Sequence, residues 1–184
     1  MSKILDAFDC NLDAKSVIVT DRGANMVSAF KEDVHINCID HLLNNILEKC
    51  MEREATVSFQ SKLCRKLVKY FKKSGLNPLL KSSLKGYSPT RWNTMFFVFQ
   101  SIEQNWADID KILRDKNELH RVLNININHV REMIRVLECF CNTSKVLEGD
   151  DYPTMHFVYR HTHSLKIACS YEQSDTEFIK SFKA

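Results

Sequence analysis

Residues 16–40 read SVIVTDRGANMVSAFKEDVHINCID, and this stretch decides the class of fold. Residues 16–20 are apolar and β-branched, which is typical of a short strand covered on both faces. Residues 24–31 predict a short helix, and the alternation of residues 34–38 predicts a second strand. Because two strands do not make a sheet that is stable by itself, we expect the α/β domain to continue upstream of Met1.

From His41 onward the apolar residues recur with the period of a helix. The first helical face contains Leu42, Leu43, Ile46, Leu47 and Cys50. Further helices are predicted over residues 57–74, 106–115, 127–147 and 154–170, and another runs from a cap at Thr90 through Trp92, Phe96, Phe97 and Phe99. Four glycines and three prolines are too few for the many turns of an all-β fold. The sequence therefore predicts a mainly α protein with a short α/β start, divided into residues 1–40 and 41–184.

The composition is that of an ordinary globular domain. Of the 184 residues, 44% are hydrophobic and 27% are charged, and a net charge of +3 does not by itself indicate a nucleic-acid-binding protein. Seven cysteines without a C-x-x-C pair favour reduced thiols over a disulfide framework. The residues that follow Met1 lack the apolar run typical of a signal peptide, and no stretch approaches the roughly 20 apolar residues of a membrane span. We therefore expect a soluble intracellular protein without a membrane segment.

The distribution of charge is more informative than the net value. Between Ala55 and Ile102 the chain has no Asp or Glu but nine basic residues. Six of these share one face of the predicted helix: Lys62, Arg65, Lys66, Lys69, Lys72 and Lys73. We place the apolar residues of that helix largely on the opposite side: Phe59, Leu63, Leu67, Val68, Tyr70 and Phe71. Charged faces are usually solvated surface, but they normally mix Glu with Lys because like charges repel. The unmixed stripe therefore favours contact with the phosphates of DNA or RNA.

Asp21 directly follows the first predicted strand. A carboxylate at the end of such a strand points into the crevice where α/β sheets bind ligands, and Mg²⁺ prefers one or two carboxylates with phosphate oxygens and water. The alternative is that Asp21 caps the following helix, since Asp is a favoured N-cap residue. The two roles are compatible, and spacing alone favours the cap.

Two further motifs give weaker signals. Cys38 and His41 have the spacing of zinc ligands, but a closed zinc site needs four ligands and no second pair follows at a convincing distance. Arg91 and Trp92 lie beside the basic segment, where they could grip phosphate and stack on a base. The alternative is that Trp92 anchors the core, and side-chain chemistry alone favours that alternative.

Four segments, taken together and in order, resemble hAT-superfamily transposases of the Hermes and hobo branch. They are residues 20–26 (TDRGANM), 38–45 (CIDHLLNN), 88–94 (SPTRWNT) and 147–154 (LEGDDYPT). The resemblance implies a partial RNase H-like core in residues 1–40, followed by an incomplete helical insertion domain in residues 41–184. It also implies DNA as the partner, transposon ends in the full-length family, and a location in the nucleus.

The resemblance also assigns roles to single residues. Asp21 matches the second of three acidic residues that hold two Mg²⁺ or Mn²⁺ ions in the family. Cys38 and His41 match the family's C-x-x-H beside the active site. Arg91 and Trp92 match an Arg-Trp pair that is associated with hairpin ends or flipped bases.

Important parts of the family pattern have no counterpart in this sequence. The first catalytic Asp has no match. The final Glu has no match either, since Glu148 and Glu172 lie inside the predicted insertion domain. We therefore expect no tightly bound ion and no strand cleavage or transfer by this chain alone. The expected function is that of a fragment or degenerate copy of a DNA-binding transposase. The alternative is a domesticated, non-catalytic DNA- or protein-binding module in the nucleus, and a small metal-binding domain is disfavoured. The oligomeric state is not predicted, because the family's dimerisation region has no match.

Overall fold

The computed structural model describes residues 16–88, 93–149 and 154–184. The chain divides into two compact units, one up to Leu42 and the other from Leu43 to Ala184. The assignment of residues 1–40 to an RNase H-like core and of residues 41–184 to an insertion domain stays a prediction.

The first unit contains the predicted strand, helix and strand. Strand β1 (Ile18–Thr20) runs parallel to strand β2 (His35–Asn37), with Val19 opposite Ile36, and helix α1 (Ala24–Ala29) connects them. The hydrogen bond from the Cys38 amide to the Thr20 carbonyl oxygen, at 2.7 Å, extends the pairing by one residue. The α/β start is therefore confirmed.

One expectation about β1 is wrong. Residues 16–20 were expected to be covered on both faces, yet Val17 is 53% and Val19 is 47% exposed. Successive side chains of a strand point to opposite faces, so these two valines share the face that is open. Ile18 and Thr20 point the other way and are partly buried.

The second unit is helical, and the described part of the chain has no strand after β2. Its helices are α2 (Ile39–Arg53, most of which belongs to this unit), α3 (Ala55–Lys73), α4 (Asn93–Gln104), α5 (Trp106–Asp115), α6 (Ile127–Leu147), α7 (Met155–Ala168) and α8 (Glu177–Lys183). The predicted bounds 57–74, 106–115, 127–147 and 154–170 agree with the observed helices within about two residues, whereas α8 was not among the predicted helices. The mainly α class is confirmed. The predicted cap at Thr90 lies outside the described residues.

Local chemistry explains where α3 begins and ends. The Glu54 carboxylate accepts a hydrogen bond from the Val57 amide at 2.5 Å and so satisfies a free donor at the first turn. After the last turn Gly75 has φ +70°, and the Leu76 amide donates to the Phe71 carbonyl oxygen at 3.1 Å. This is the Schellman arrangement, in which the residue with positive φ is usually glycine.

The core of the helical unit is formed where α4 packs on α3 and α6, and where α6 packs on α7. Phe71, Phe99 and Leu137 are fully buried in it. Cys64 of α3 is also fully buried, and this burial raises the pKa of its thiol to about 12. Buried Gln60 joins distant segments, because its amide donates to the Asn124 carbonyl oxygen and its side-chain oxygen accepts from the Asn126 amide.

The segment between α3 and α4 is held in place by Asn105, which is 1% exposed. Its side-chain oxygen accepts from the Ser82 amide at 3.1 Å, and its side-chain nitrogen donates to the Ser82 hydroxyl at 2.9 Å and to the Ser101 carbonyl oxygen at 2.7 Å. The Lys85 amide donates to the Ser101 hydroxyl at 3.1 Å. These bonds fix the course of residues 82–85 and thereby place the residues that follow.

Candidate nucleic-acid interface

Helix α3 presents a basic face to solvent. We define the basic face as Lys62, Arg65, Lys66, Lys69, Lys72 and Lys73. The five lysines are exposed and Arg65 is partly buried, while Val57, Cys64 and Phe71 on the other side of the helix are fully buried. The predicted exposure of the lysines is confirmed; their role in binding DNA stays a prediction.

Three apolar positions of α3 do not lie where they were expected. Phe59 is 50% exposed, because it precedes Lys62 and Lys66 by three and seven residues and therefore shares their face. Leu63 and Tyr70 are only partly buried. The Tyr70 ring is covered from outside by the Arg121 guanidinium, 3.8 Å from the ring centroid. A helical wheel of α3 places Phe59 on the exposed face from the sequence alone.

The charges of the basic face are not neutralised within the described part of the chain. None of the six side chains there forms an ion pair within 4 Å. Arg65 instead stacks over Tyr87 at 4.5 Å from the ring centroid. Such a cation–π contact orients the guanidinium without removing its charge. The basic face is therefore a positive surface that extends along residues 62–73 of α3.

A cleft of about 320 Å³ opens beside the basic face, between α2 and α3. Its α2 wall carries Glu48 and Glu52, and its α3 wall carries Lys62 and Arg65. The Ser61 hydroxyl, buried at the cleft, has no hydrogen-bond partner among the described residues. The two carboxylates limit the positive surface on this side, because they would repel a phosphate. The cleft cannot be predicted from the sequence alone, because residues from separate segments form its walls.

Arg91 and Trp92 lie outside the described residues. The roles predicted for these two side chains therefore stay predictions. Residues on either side of Arg91 and Trp92 are bonded to each other. The Ser88 amide donates to the Thr94 hydroxyl at 3.0 Å, and that hydroxyl donates to the Ser88 carbonyl oxygen at 2.9 Å. Tyr87, which contacts Arg65, directly precedes Ser88.

Asp21 is exposed at the end of β1. Its Oδ1 accepts a hydrogen bond from the Gly23 amide at 2.9 Å. Gly23 is the N-cap of α1, and no side chain caps this helix directly, so Asp21 orders the turn before the helix. A Cβ on Gly23 would lie 2.8 Å from Asn25 Oδ1 and 3.0 Å from Asp21 Oδ1, which explains why glycine suits this turn.

The described residues do not assemble a metal site around these positions. No group of three or more His, Cys, Asp or Glu side chains among them could hold an ion. Asp21 by itself therefore does not fit a two-ion site, and Cys38 and His41 do not fit a closed zinc site. The metal role of Asp21, the place of Cys38 and His41 beside an active site, and the expected absence of tight metal binding all stay predictions.

Comparison with known proteins identifies the family. No protein-family model matches the chain. Over 140 residues, or 76% of the chain, it is 37% identical to the Hobo transposase of a transposable element in Drosophila melanogaster. The chain spans about a fifth of that protein, 21% of its length.

Identity at this level over three quarters of the chain makes it a homologue of DNA transposases. In particular, it is homologous to part of a transposase of the hAT family. The relationship that the four sequence segments indicated is thereby confirmed. Among the described residues, no helix combines the length and the apolar character that a membrane span requires.

Proposed function

We propose that this chain is a DNA-binding module of hAT-transposase descent that acts in the nucleus and grips the DNA backbone along the basic face of α3. The observation that carries the proposal is the set of exposed lysines on this face, none of which forms an ion pair with another described residue. The relative's identity as a transposase supports DNA as the polyanion.

The physical argument rests on the cost of the arrangement. Lysines three and four residues apart on a helix repel one another by a few tenths of a kcal/mol per pair. No Asp or Glu in the whole span from Ala55 to Ile102 relieves this repulsion. A phosphate backbone relieves it and releases counterions on binding. Contact between the basic face and a polyanion is therefore favourable in free energy.

The dimensions of the face suit a duplex. Lys62 and Lys73 are eleven residues apart, which corresponds to about 16 Å along a helix with a rise of 1.5 Å per residue. Duplex DNA carries about one phosphate per 1.7 Å of its axis, or about ten over that length. Phosphates of the duplex therefore outnumber the cations of the face. Because these cations contact phosphates, binding through α3 alone should depend on salt and only weakly on sequence.

Catalysis by this chain alone is not part of the proposal. Strand cleavage of the family's kind uses two divalent ions, which need several carboxylates. Asp21 is the single residue of this chain that matches the family's acidic set. We propose that Asp21 belongs to such a site only together with residues outside this sequence.

The proposal is tested with Lys66→Gln, Lys69→Gln and Lys73→Gln combined in one variant. Duplex affinity is measured by fluorescence anisotropy at several salt concentrations. Each lost phosphate contact should reduce the log–log salt slope by about 0.9, so the variant should lose up to about 3 units. Surface changes of this kind alter stability by about 0.5 kcal/mol or less each, so the fold should remain intact.

The matched control carries Lys49→Gln, Lys111→Gln and Lys116→Gln, which are exposed lysines outside helix α3. It changes the net charge by the same amount, and its salt slope should stay close to that of the unmodified chain. Equal losses in both variants would mean that only net charge matters. An unchanged slope in the first variant would show that the basic face is solvated surface.

A further inference from the structure

We propose that the exposed face of α7 is a second nucleic-acid surface, which binds unpaired bases of a single strand by stacking. We define the stacking face as Met155, Tyr159, His163 and Ile167 with the flanking Arg160 and Lys166. These apolar and aromatic positions follow at intervals of four residues, which places them on one side of a helix. The function proposed for α3 does not include this surface.

The burial of α7 shows that this face is not used by the core. Leu165 is the single buried residue of the helix. Tyr159 is 82% exposed, Ile167 is 61% and Met155 is 50%. A tyrosine that serves the core is covered by its neighbours, whereas Tyr159 offers nearly its whole side chain to solvent. One side of α7 is therefore available to a partner.

The geometry of the rings suits a flat partner. The rings of Tyr159 and His163 are stacked, with centroids 6.3 Å apart and an interplanar angle of 10°. Because the two planes are almost parallel, a planar group can continue the stack on the open side of Tyr159. Bases of a single strand stack on aromatic side chains in this way whatever their sequence.

The charge around the rings indicates an anionic partner. From Thr154 to Tyr171 the chain contains no Asp or Glu. Arg160 and Lys166 are exposed, and neither forms an ion pair within 4 Å with a described residue. Aromatic rings flanked by unpaired cations are the combination that single-strand-binding surfaces use.

The same charges disfavour a second copy of the chain as the occupant. A two-fold pairing of stacking faces would bring Arg160 and Lys166 close to their own equivalents, and the face has no carboxylate to separate them. An acidic peptide would satisfy the cations, but Asp and Glu side chains offer no aromatic ring to stack on Tyr159. A strand with unpaired bases satisfies both features of the face.

This surface is distinct from the basic face. Helix α3 packs on α4, whereas α7 packs on α6, so each surface belongs to its own helix pair within the helical unit. The basic face has many cations that suit a duplex backbone. The stacking face has two cations and an exposed ring, so its affinity for a single strand should depend more on the bases and less on salt.

The test measures binding of a fluorescent oligothymidylate of about twelve nucleotides to the full chain. Tyr159→Ala should weaken binding by roughly 5- to 150-fold, which corresponds to the loss of one base–aromatic stack. Tyr159→Phe keeps the ring and should bind like the unmodified chain. Leu123→Ala removes another exposed apolar side chain, 70% exposed, and serves as the matched control without effect.

A strand of the same length without bases separates stacking from charge. It should bind the unmodified chain and Tyr159→Ala with equal affinity, since only the bases meet the ring. Tyr159→Ala should weaken oligothymidylate binding by the same factor in the Gln variant of the basic face as in the unmodified chain. Tyr159→Ala should also leave duplex binding unchanged. The two proposals thus fail separately.

Three results would overturn the inference. The first is equal affinity of Tyr159→Ala and the unmodified chain for oligothymidylate. The second is Tyr159-dependent binding of a polyglutamate peptide that displaces the oligonucleotide, which would make an acidic chain the partner. The third is a dimer in sedimentation equilibrium that Tyr159→Ala dissociates.

Discussion

At the scale of single residues, Asp175 and Lys183 form the one ion pair among the described residues in which both side chains are buried, with 4% and 5% of their surface exposed. Their charged atoms lie 2.9 Å apart. The Glu172 amide donates to the Asp175 carboxylate at 2.9 Å, and Lys183 also donates to the Ser170 carbonyl oxygen at 3.1 Å. This pair ties α8 to the turn that precedes it.

The pair predicts a dependence of stability on pH. The Glu172 amide, followed by the Lys183 ammonium, lowers the pKa of Asp175 from the ordinary value of 3.8. A lowered pKa in the folded state stabilises the fold above the unfolded pKa, and this contribution is lost as pH falls through the folded value. Asp175→Asn should therefore reduce the free energy of unfolding at pH 7 by more than it does at pH 3. A difference between the two proteins that does not shrink in acid would contradict the prediction.

Asn105 leads to a second prediction at this scale. Asn105→Ala removes a buried side chain that forms three hydrogen bonds with Ser82 and Ser101, which should lower the free energy of unfolding by about 1–3 kcal/mol. Urea denaturation measures the change. Asn124→Ala, at an exposed asparagine whose carbonyl oxygen rather than its side chain bonds to Gln60, should alter stability by about 0.5 kcal/mol or less. Equal effects of the two substitutions would show that the Asn105 bonds do not stabilise the segment.

At the scale of elements, the sequence allowed most helices to be predicted. The period of apolar residues and the residues at the ends decide their bounds. Gly75 ends α3, and the Asn126 side chain accepts from the Asn128 and His129 amides at the start of α6. Such signals are local, so they can be read without knowledge of the tertiary structure.

The orientation of the elements was harder to predict, because it depends on what they pack against. Phe59 was assigned to the buried side of α3 by its type rather than by its angle. The contact of Tyr87 with Arg65 could not be predicted, since it depends on the hydrogen bonds by which Asn105 holds Ser82 in the preceding segment. The openness of α7 was also missed. An exposed ring at Tyr159 cannot be told from a buried one until the neighbours of the helix are known.

At the scale of the whole molecule, the composition and the charge map predicted a mainly helical chain with one basic surface, and the four segments predicted its family. Neither the composition and charge map nor the four segments predict a complete catalytic site. The resemblance predicts that one carboxylate, Asp21, corresponds to the family's acidic set, and in the structure this carboxylate accepts a hydrogen bond from the Gly23 amide.

This leads to a prediction for the chain as a whole. Incubation of supercoiled plasmid with the protein and Mg²⁺ or Mn²⁺ should yield no nicked circles above background, because a two-ion mechanism needs more carboxylates than Asp21. Gel electrophoresis separates the two forms of the plasmid. Nicking by the unmodified chain that disappears in Asp21→Asn would overturn the prediction.

The burial of Cys64 has a practical consequence. A thiol with so high a pKa and no exposed surface reacts with an alkylating reagent only in molecules that have transiently opened. Its rate of modification, followed by mass spectrometry of the peptide that contains it, therefore measures the free energy of opening of the helical unit under native conditions. DNA that binds only the closed form slows the reaction by the factor 1 + [DNA]/Kd. Cys64 lies on the buried side of the helix that carries the basic face. Its rate of alkylation therefore reports both the opening of the helical unit and the fraction of the chain that is bound to DNA, and neither partner has to be labelled beforehand.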